Sequence, residues 1–146
     1  MRITVLTIGR ARGPVADLCA DYAKRMTWTF THKEFEPKPA TQDRESAALL
    51  AAVPEGARLV VCDERGKNMS SQQFADRLEG WQNDGVRDVA FLIGGADGHP
   101  DEVRKRADLI LGFGQLTWPH MLARAMLFEQ IYRAQQIIAG HPYHRA

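Results

Sequence analysis

Short apolar runs alternate with amphipathic segments along the whole chain, and this alternation constrains the fold more than any other feature. Residues 2–8 (R-I-T-V-L-T-I) are apolar and β-branched and stop at Gly9, so they read as a buried strand. Gly13-Pro14 then opens a helix, with Val15, Leu18, Cys19, Tyr22 and Met26 at the spacing of one helical face. Thr29–Phe35 is a weaker strand, broken by Pro37 and Pro39, and residues 42–52 form a short helix. Residues 58–62 (R-L-V-V-C) make a third strand, and residues 63–68 a polar loop containing Gly66. Ser70 with Gln73 three residues on matches a capping box, ahead of a helix marked by Phe74, Leu78 and Trp81. Residues 89–93 (V-A-F-L-I) are the most apolar strand. Residues 101–106 read as a helix and 109–111 as a short strand. Strands and helices in this order indicate an α/β protein with a mostly parallel sheet.

The chain is 146 residues long, which predicts a single domain spanning 1–146. A domain of that size buries roughly 70% of its unfolded surface and needs no disulfide or metal staple. The two cysteines, Cys19 and Cys62, have no C-x-x-C partner, which fits a reduced cytoplasmic protein. The apolar run at residues 3–8 is too short for a signal peptide or a membrane span. Net charge is +1, so any nucleic-acid binding must rest on a local patch.

Parallel sheets bind ligands beyond the carboxyl ends of their strands, which directs attention to the loops after residues 62, 93 and 111. Gly94-Gly95-Ala96-Asp97-Gly98 follows the most apolar strand and offers bare backbone to a ligand, or else is a tight turn. It is neither G-x-G-x-x-G nor a Walker A loop, so NAD and ATP are poorly supported. Gly112-Phe113-Gly114-Gln115-Leu116-Thr117-Trp118-Pro119 is a second glycine-bearing loop, feeding the last helix. Two such loops at neighbouring strand ends suit an adenine and ribose held by backbone groups; the alternative is a strained connection.

The last helix, about 20 residues or about 30 Å from Pro119 to a C′ glycine at Gly140, is apolar on most sides. Met121, Leu122, Ala125, Met126, Phe128, Ile131 and Tyr132 exceed one stripe, which predicts burial against a partner subunit or deep inside the fold. Glu129 and Arg133 have the spacing of an i, i+4 ion pair worth a few tenths of a kcal/mol. Arg124 and Arg133 are alternatively phosphate ligands. The chain ends on His141-Pro142-Tyr143-His144-Arg145-Ala146, chemistry rarely spent on a terminus. His120, His141 and His144 lack the cysteines or carboxylates of a zinc site, so no metal is expected. Asp63, beside Arg65 and Lys67, either meets a ribose hydroxyl or caps a turn. Arg104-Lys105-Arg106 reads as a solvated helix face.

Three strings, L-I-G-G-A-D-G, L-T-W-P-H-M-L-A-R-A-M-L-F-E-Q-I-Y-R-A and H-P-Y-H-R, together resemble the RlmH family. These are the ribosomal RNA large-subunit methyltransferases H of the SPOUT superfamily, and the resemblance covers essentially the whole chain. It implies a homodimeric α/β-knot fold with a C-terminal trefoil knot and S-adenosylmethionine as cofactor. By motif it places Cys62, Gly95, Gly114, Gln115, Leu116, Thr117, Trp118 and Pro119 in the cofactor pocket. It implies N3-methylation of a pseudouridine, position 1915 in helix 69 of 23S rRNA, on the assembled ribosome. His144, Tyr143 and Arg145 are then the expected catalytic residues. His144 would accept the proton and Tyr143 would stack or hydrogen-bond. Arg145, Arg124 and Arg133 are expected on RNA phosphates. Two rivals stand beside this reading: a non-catalytic ribosome-binding factor, and a nucleotide hydrolase, which would need a metal site or nucleophile that the sequence does not display.

Overall fold

The computed structural model describes residues 1–145. Its elements are β1 (Arg2–Ile8), α1 (Gly13–Arg25), β2 (Thr29–Phe35), α2 (Gln42–Ala51), β3 (Arg58–Asn68), α3 (Ser71–Asn83), β4 (Asp88–Ile93), α4 (Asp101–Arg106), β5 (Leu109–Gly112) and α5 (His120–Ile138). All five strands run parallel in one sheet of order β2-β1-β4-β3-β5. Every carboxyl end therefore opens on the same edge.

The period-2 alternation of the strands decides which helices cover which face. Ile3, Val5, Val60, Val89, Phe91 and Ile93 point to one side, where α1, α3 and α5 supply Cys19, Phe74, Leu78, Leu127, Phe128 and Ile131. Leu6, Ile8, Leu59, Val61, Ala90 and Leu92 point to the other, covered by Leu49 of α2 and Val103 of α4. Both faces are apolar, which is why the central strands read as unbroken apolar runs. Full burial of each such side chain contributes about 1.5–3 kcal/mol.

The helix ends follow local chemistry. At α3, Ser70 Oγ accepts from the Gln73 N–H at 3.1 Å and Gln73 Oε1 accepts from the Ser70 N–H at 2.9 Å, the reciprocal capping box. At α5, Gly140 takes φ +74°, the Gly140 N–H donates to Ile137 O and the His141 N–H to Gln136 O. This Schellman arrangement satisfies carbonyls the helix would otherwise orphan.

One element departs from expectation. Residues 63–68 are not a loop: β3 continues to Asn68. Leu111 of β5 is paired twice, by Cys62 and again by Lys67, so residues 63–66 bulge out between two paired stretches. Gly66 makes the second contact possible. A Cβ there would stand 2.5 Å from the Leu111 carbonyl carbon and 2.6 Å from Gly112 N. The polar composition correctly marked exposure, but the pairing depends on β5, more than 40 residues later in the sequence.

Candidate functional site

The three loops at the carboxyl edge close on one cavity of about 310 Å³. Its walls are Cys62 to Arg65 after the first part of β3, Gly94 to His99 after β4, and Phe113, Gly114, Leu116, Thr117 and Trp118 before α5, with His120 at the start of that helix. Gly95 meets the rest of the protein closely. A Cβ there would lie 3.0 and 3.1 Å from the Glu45 carboxylate oxygens and 3.2 Å from Ile8 Cγ2. The glycine loop thus rests on α2 and turns bare backbone to the cavity. Glu45 is pushed up by this burial, and by the Asp97 charge.

The second loop is tied to β3. The Gly114 N–H donates to Asn68 Oδ1 at 3.1 Å, and Thr117 Oγ1 donates to Glu64 Oε2 at 3.3 Å. Trp118 Nε1 donates to Phe113 O at 3.0 Å, folding the indole over its own loop. At the end of the first part of β3, burial and then the Asp63 charge push the Cys62 thiol up to about 12. It stays protonated and serves as wall rather than nucleophile.

Of the expected cofactor residues, the fold brings Cys62, Gly95, Gly114, Leu116, Thr117 and Trp118 onto this cavity. Gln115 and Pro119 flank it on exposed backbone. The tail lies elsewhere. Tyr143 packs edge-on against Tyr132, ring centroids 4.8 Å apart, with the Arg133 guanidinium over its ring. Burial first, then the Tyr22 hydroxyl beside it, push the Tyr143 phenol up to about 12, so it is no phenolate at neutral pH. Arg133 Nη1 donates to His144 Nδ1 at 3.0 Å while its Nε holds Glu129 at 2.6 Å. A guanidinium only donates, so Nδ1 is the basic atom of His144 and Nε2 carries the proton. Arg145 is exposed. Among the described residues, none after Ala123 lines the cavity.

Arg124 corrects an expectation. Its side chain has no exposed surface, so it does not reach RNA phosphates. Nη1 holds Glu34 at 2.6 Å, and Nη2 donates at 3.0 Å to the carbonyls of Ile8 and of Gly9. It binds the end of β1, an internal anion and two carbonyls in place of RNA. Arg104 is a second correction. Far from solvated, its side chain is 14% exposed and holds Asp63 at 3.2 Å inside the cavity wall.

Two histidines belong to the cavity without having been expected there. His120 is held low by burial and then by the Arg124 charge, so it is neutral near pH 7. His99 is 5% exposed. The sequence signal for His99 was slight: a histidine between the last glycine of the loop and Pro100.

A larger concavity, about 510 Å³, is lined by α1, the start of α3, the end of β5 and α5, and shares Phe113, Gly114 and Trp118 with the first. It is lined by Leu18, Tyr22, Phe74, Leu122 and Met126, and Leu18, Trp118 and Leu122 are 45%, 41% and 44% exposed. Apolar and open, it suits protein side chains better than a charged nucleoside. Among the described residues, no three His, Cys, Asp or Glu are grouped to hold a metal, and no helix is long and apolar enough to cross a membrane.

Parallel sheet and strand-end cavity define the class, an α/β protein built to hold a nucleoside-sized ligand on bare backbone. The family described as "Predicted SPOUT methyltransferase" matches residues 1–144. The chain is 55% identical to the ribosomal RNA large subunit methyltransferase H of Rhodospirillum centenum, with 100% of both chains covered. It is 51% identical to the protein of that name from Paramagnetospirillum magneticum, over 99% of each. The chain thus belongs to the SPOUT methyltransferase family, among the ribosomal RNA large subunit methyltransferase H proteins. Solved structures share the fold at low identity. A probable methylase family protein from Haemophilus influenzae matches with TM-score 0.60 and 11% identity, over 99% of this chain and 70% of that one. The SpoU methyltransferase AviRb of Streptomyces viridochromogenes, in complex with AdoMet, matches with TM-score 0.51 and 14% identity, over 94% of this chain and 58% of that one.

Proposed function

We propose that this protein is a cytoplasmic homodimer that transfers a methyl group from S-adenosylmethionine to N3 of a pseudouridine. The target is position 1915 in helix 69 of 23S rRNA, within the assembled ribosome. The observation that carries the reading is the strand-end cavity of a chain whose full-length relatives bear the name ribosomal RNA large subunit methyltransferase H. AviRb, of the same fold, binds AdoMet. The residues fit that cofactor: Gly95 presents no side chain to the cavity, and Leu116 and Trp118 offer apolar surface. The cofactor supplies an electrophilic methyl group on a sulfonium.

The chain's own task is to align that group with N3 of the base and take up the N3 proton, so positioning contributes much of the rate. Gly95 and Gly114 hold the nucleoside through backbone groups, Cys62 and Trp118 exclude water, and Thr117 stays tied to Glu64. His144 accepts the proton at Nδ1, which requires Arg133 to release it. Tyr143 stacks on or hydrogen-bonds the base, while Arg145, with Arg133 once freed, holds phosphates. The tail packs on its own α5, away from its own cavity, which supports service to a partner subunit's cavity. The exposed Leu18, Trp118 and Leu122 around the apolar groove are the surface on which two copies would meet. The trefoil knot belongs to the same proposal.

A net charge of +1 favours the shaped surface of the ribosome over free RNA. The test incubates the protein with labelled S-adenosylmethionine and ribosomes lacking the modification. Label is expected in 23S rRNA, and nucleoside mass spectrometry should place it on N3 of pseudouridine. Ribosome binding without label transfer would replace the enzyme with a binding factor.

A further inference from the structure

Two exposed arginines at the carboxyl edge of the sheet hold no carboxylate. Gly9 takes φ +86° and turns the chain out of β1, and Arg10, Ala11 and Arg12 lead from there to α1. This short stretch is held from inside. The Gly9 N–H donates to Phe35 O at 2.8 Å, and Arg124 Nη2 donates at 3.0 Å to the carbonyls of Ile8 and Gly9. Glu34 Oε2 accepts from the Ala11 N–H at 2.7 Å and from Arg124 Nη1 at 2.6 Å, so its charge is already shared between two donors. Arg10 and Arg12, on either side of Ala11, are exposed. Arg2, Arg25 and Arg58 are exposed too, and each holds an aspartate. Among the described residues, no carboxylate pairs with Arg10 or Arg12. A loop whose backbone is fixed by the buried Arg124–Glu34 pair has no structural need of their charge. Two like charges two residues apart repel each other, and an anion beside them removes that repulsion.

We propose that Arg10 and Arg12 form a phosphate-binding surface that receives the backbone of the substrate RNA beside the cofactor cavity. The inference rests on the methyltransferase reading above. Its location comes from the neighbouring glycine. A Cβ on Gly9 would lie 3.1 Å from Met121 Cε and 3.8 Å from His120 Nε2, and His120 lines the cavity. The two arginines follow directly on this contact but are not among the residues that wall the cavity. They therefore flank its entrance. A base taken into a pocket leaves its own phosphates outside, at the rim. Guanidinium groups suit that rim, because they hold phosphate oxygens with paired N–H donors. Such contacts fix the register of the RNA and read no sequence. With a net charge of +1 the chain has no general positive field, so unmatched charge beside the cavity weighs more. In the dimer proposed above, these arginines belong to the subunit that holds the cofactor, and Arg145 approaches the same RNA from the other.

The experiment measures binding of the fluorescently labelled full chain to ribosomes lacking the modification, between about 50 and 200 mM salt. The parent is compared with the double variants Arg10→Gln/Arg12→Gln and Arg10→Lys/Arg12→Lys. A third, Lys24→Gln/Arg87→Gln, removes two charges from the opposite edge of the sheet, at the end of α1 and just before β4. Calorimetric binding of S-adenosylhomocysteine and sedimentation are measured for each. The glutamine variant at 10 and 12 is expected to bind ribosomes about tenfold more weakly, and its plot of log K against log salt should be shallower by about 1.4–1.8, the share of two phosphate contacts. The lysine variant should keep most of the affinity, since phosphate also accepts a point charge. The variant at the opposite edge should stay close to the parent. Unchanged ribosome binding in the glutamine variant overturns the proposal, and so does an equal loss in the variant at 24 and 87. Weaker binding with an unchanged salt slope also overturns it, because contact with an acidic protein surface releases no condensed counterions. Loss of the dimer or of S-adenosylhomocysteine binding would instead assign the arginines to the subunit interface or the cofactor site, against the proposal. A parent that binds ribosomes without methylating them overturns the enzymatic reading alone, and one that binds no ribosomes overturns both.

Discussion

Arg124 is the largest fully buried side chain in the protein, and it shows how one residue's surroundings reassign its chemistry. Its guanidinium joins Glu34 of β2 to the carboxyl end of β1 from a position on α5. Removing one partner of a buried ion pair leaves the other uncompensated and typically costs about 3–5 kcal/mol. Glu34 keeps 30% exposure, so Arg124→Met should fall at the low end, about 3 kcal/mol, in urea denaturation. A loss below about 1 kcal/mol would show that this anchor carries little of the stability. Beside it, His32 pairs with Thr7 Oγ1 at 2.9 Å and lies edge-on to Phe128. Burial, then the Arg124 charge, hold His32 at about 4, against an ordinary value of 6.5. The unfolded chain therefore binds this proton first. Stability from the neutral ring is full above pH 6.5 and drains away as the pH falls toward about 4. His99 and His120 shift in the same direction. Urea midpoints at pH 7 and pH 5 should differ less in His32→Asn than in the parent. An identical pH dependence would remove His32 from this account.

At the scale of elements, two glycines of similar appearance in the sequence have opposite meanings. Gly66 sits where β3 returns to Leu111, and a Cβ would meet backbone atoms at 2.5 to 2.8 Å. Backbone cannot step aside as a side chain can, so Gly66→Ala should cost about 3 kcal/mol, the upper end for overpacking. It should weaken cofactor binding too, because the bulge at residues 63–66 forms one wall of the cavity. Gly80 lies inside α3 with nothing within 4 Å of its Cβ position. Gly80→Ala should therefore stabilise by about 0.5–1 kcal/mol. Thermal melts of the two variants should move in opposite directions. A neutral Gly66→Ala would mean that the second β3–β5 pairing is not essential. Most of the elements were legible because their causes are local: the 3.6-residue stripe of α1, the capping box of α3 and the glycine closing α5. The second half of β3 was not, because nothing in Glu64-Arg65-Gly66-Lys67 marks a strand until β5 is beside it.

For the whole molecule, the tail and the cavity are the pieces that the single chain does not join. Tyr143 and His144 are held by Tyr132 and Arg133 on α5, while the cavity opens at the carboxyl edge of the sheet. If the tail serves a partner's cavity, deleting residues 141–146 should abolish methylation and leave cofactor affinity within about twofold, a change of about 0.4 kcal/mol. Gly95→Val should abolish cofactor binding, since a β-branched side chain there would press on Glu45 and Ile8 and displace the glycine loop that walls the cavity. Mixing these two inactive variants should restore activity, because the mixed dimer carries one intact cavity and one intact tail on opposite subunits. No recovery, with mixed dimers demonstrated by sedimentation or native mass spectrometry, would place tail and cavity in the same chain.

The sequence by itself determined the order and type of the elements, the two glycine loops and the motifs that carry the family resemblance. Each is written in spacings of a few residues, where backbone conformation and side-chain period act directly. Tertiary structure decided which charges face inward. Arg124 and Glu34 are 90 positions apart, and Arg104 and Asp63 are 41 apart. A guanidinium reads the same in sequence whether it meets solvent, RNA or a buried carboxylate. Its role is set by what the parallel sheet brings to its edge, and the same holds for His99, which is buried where the ends of β3 and β4 stand side by side.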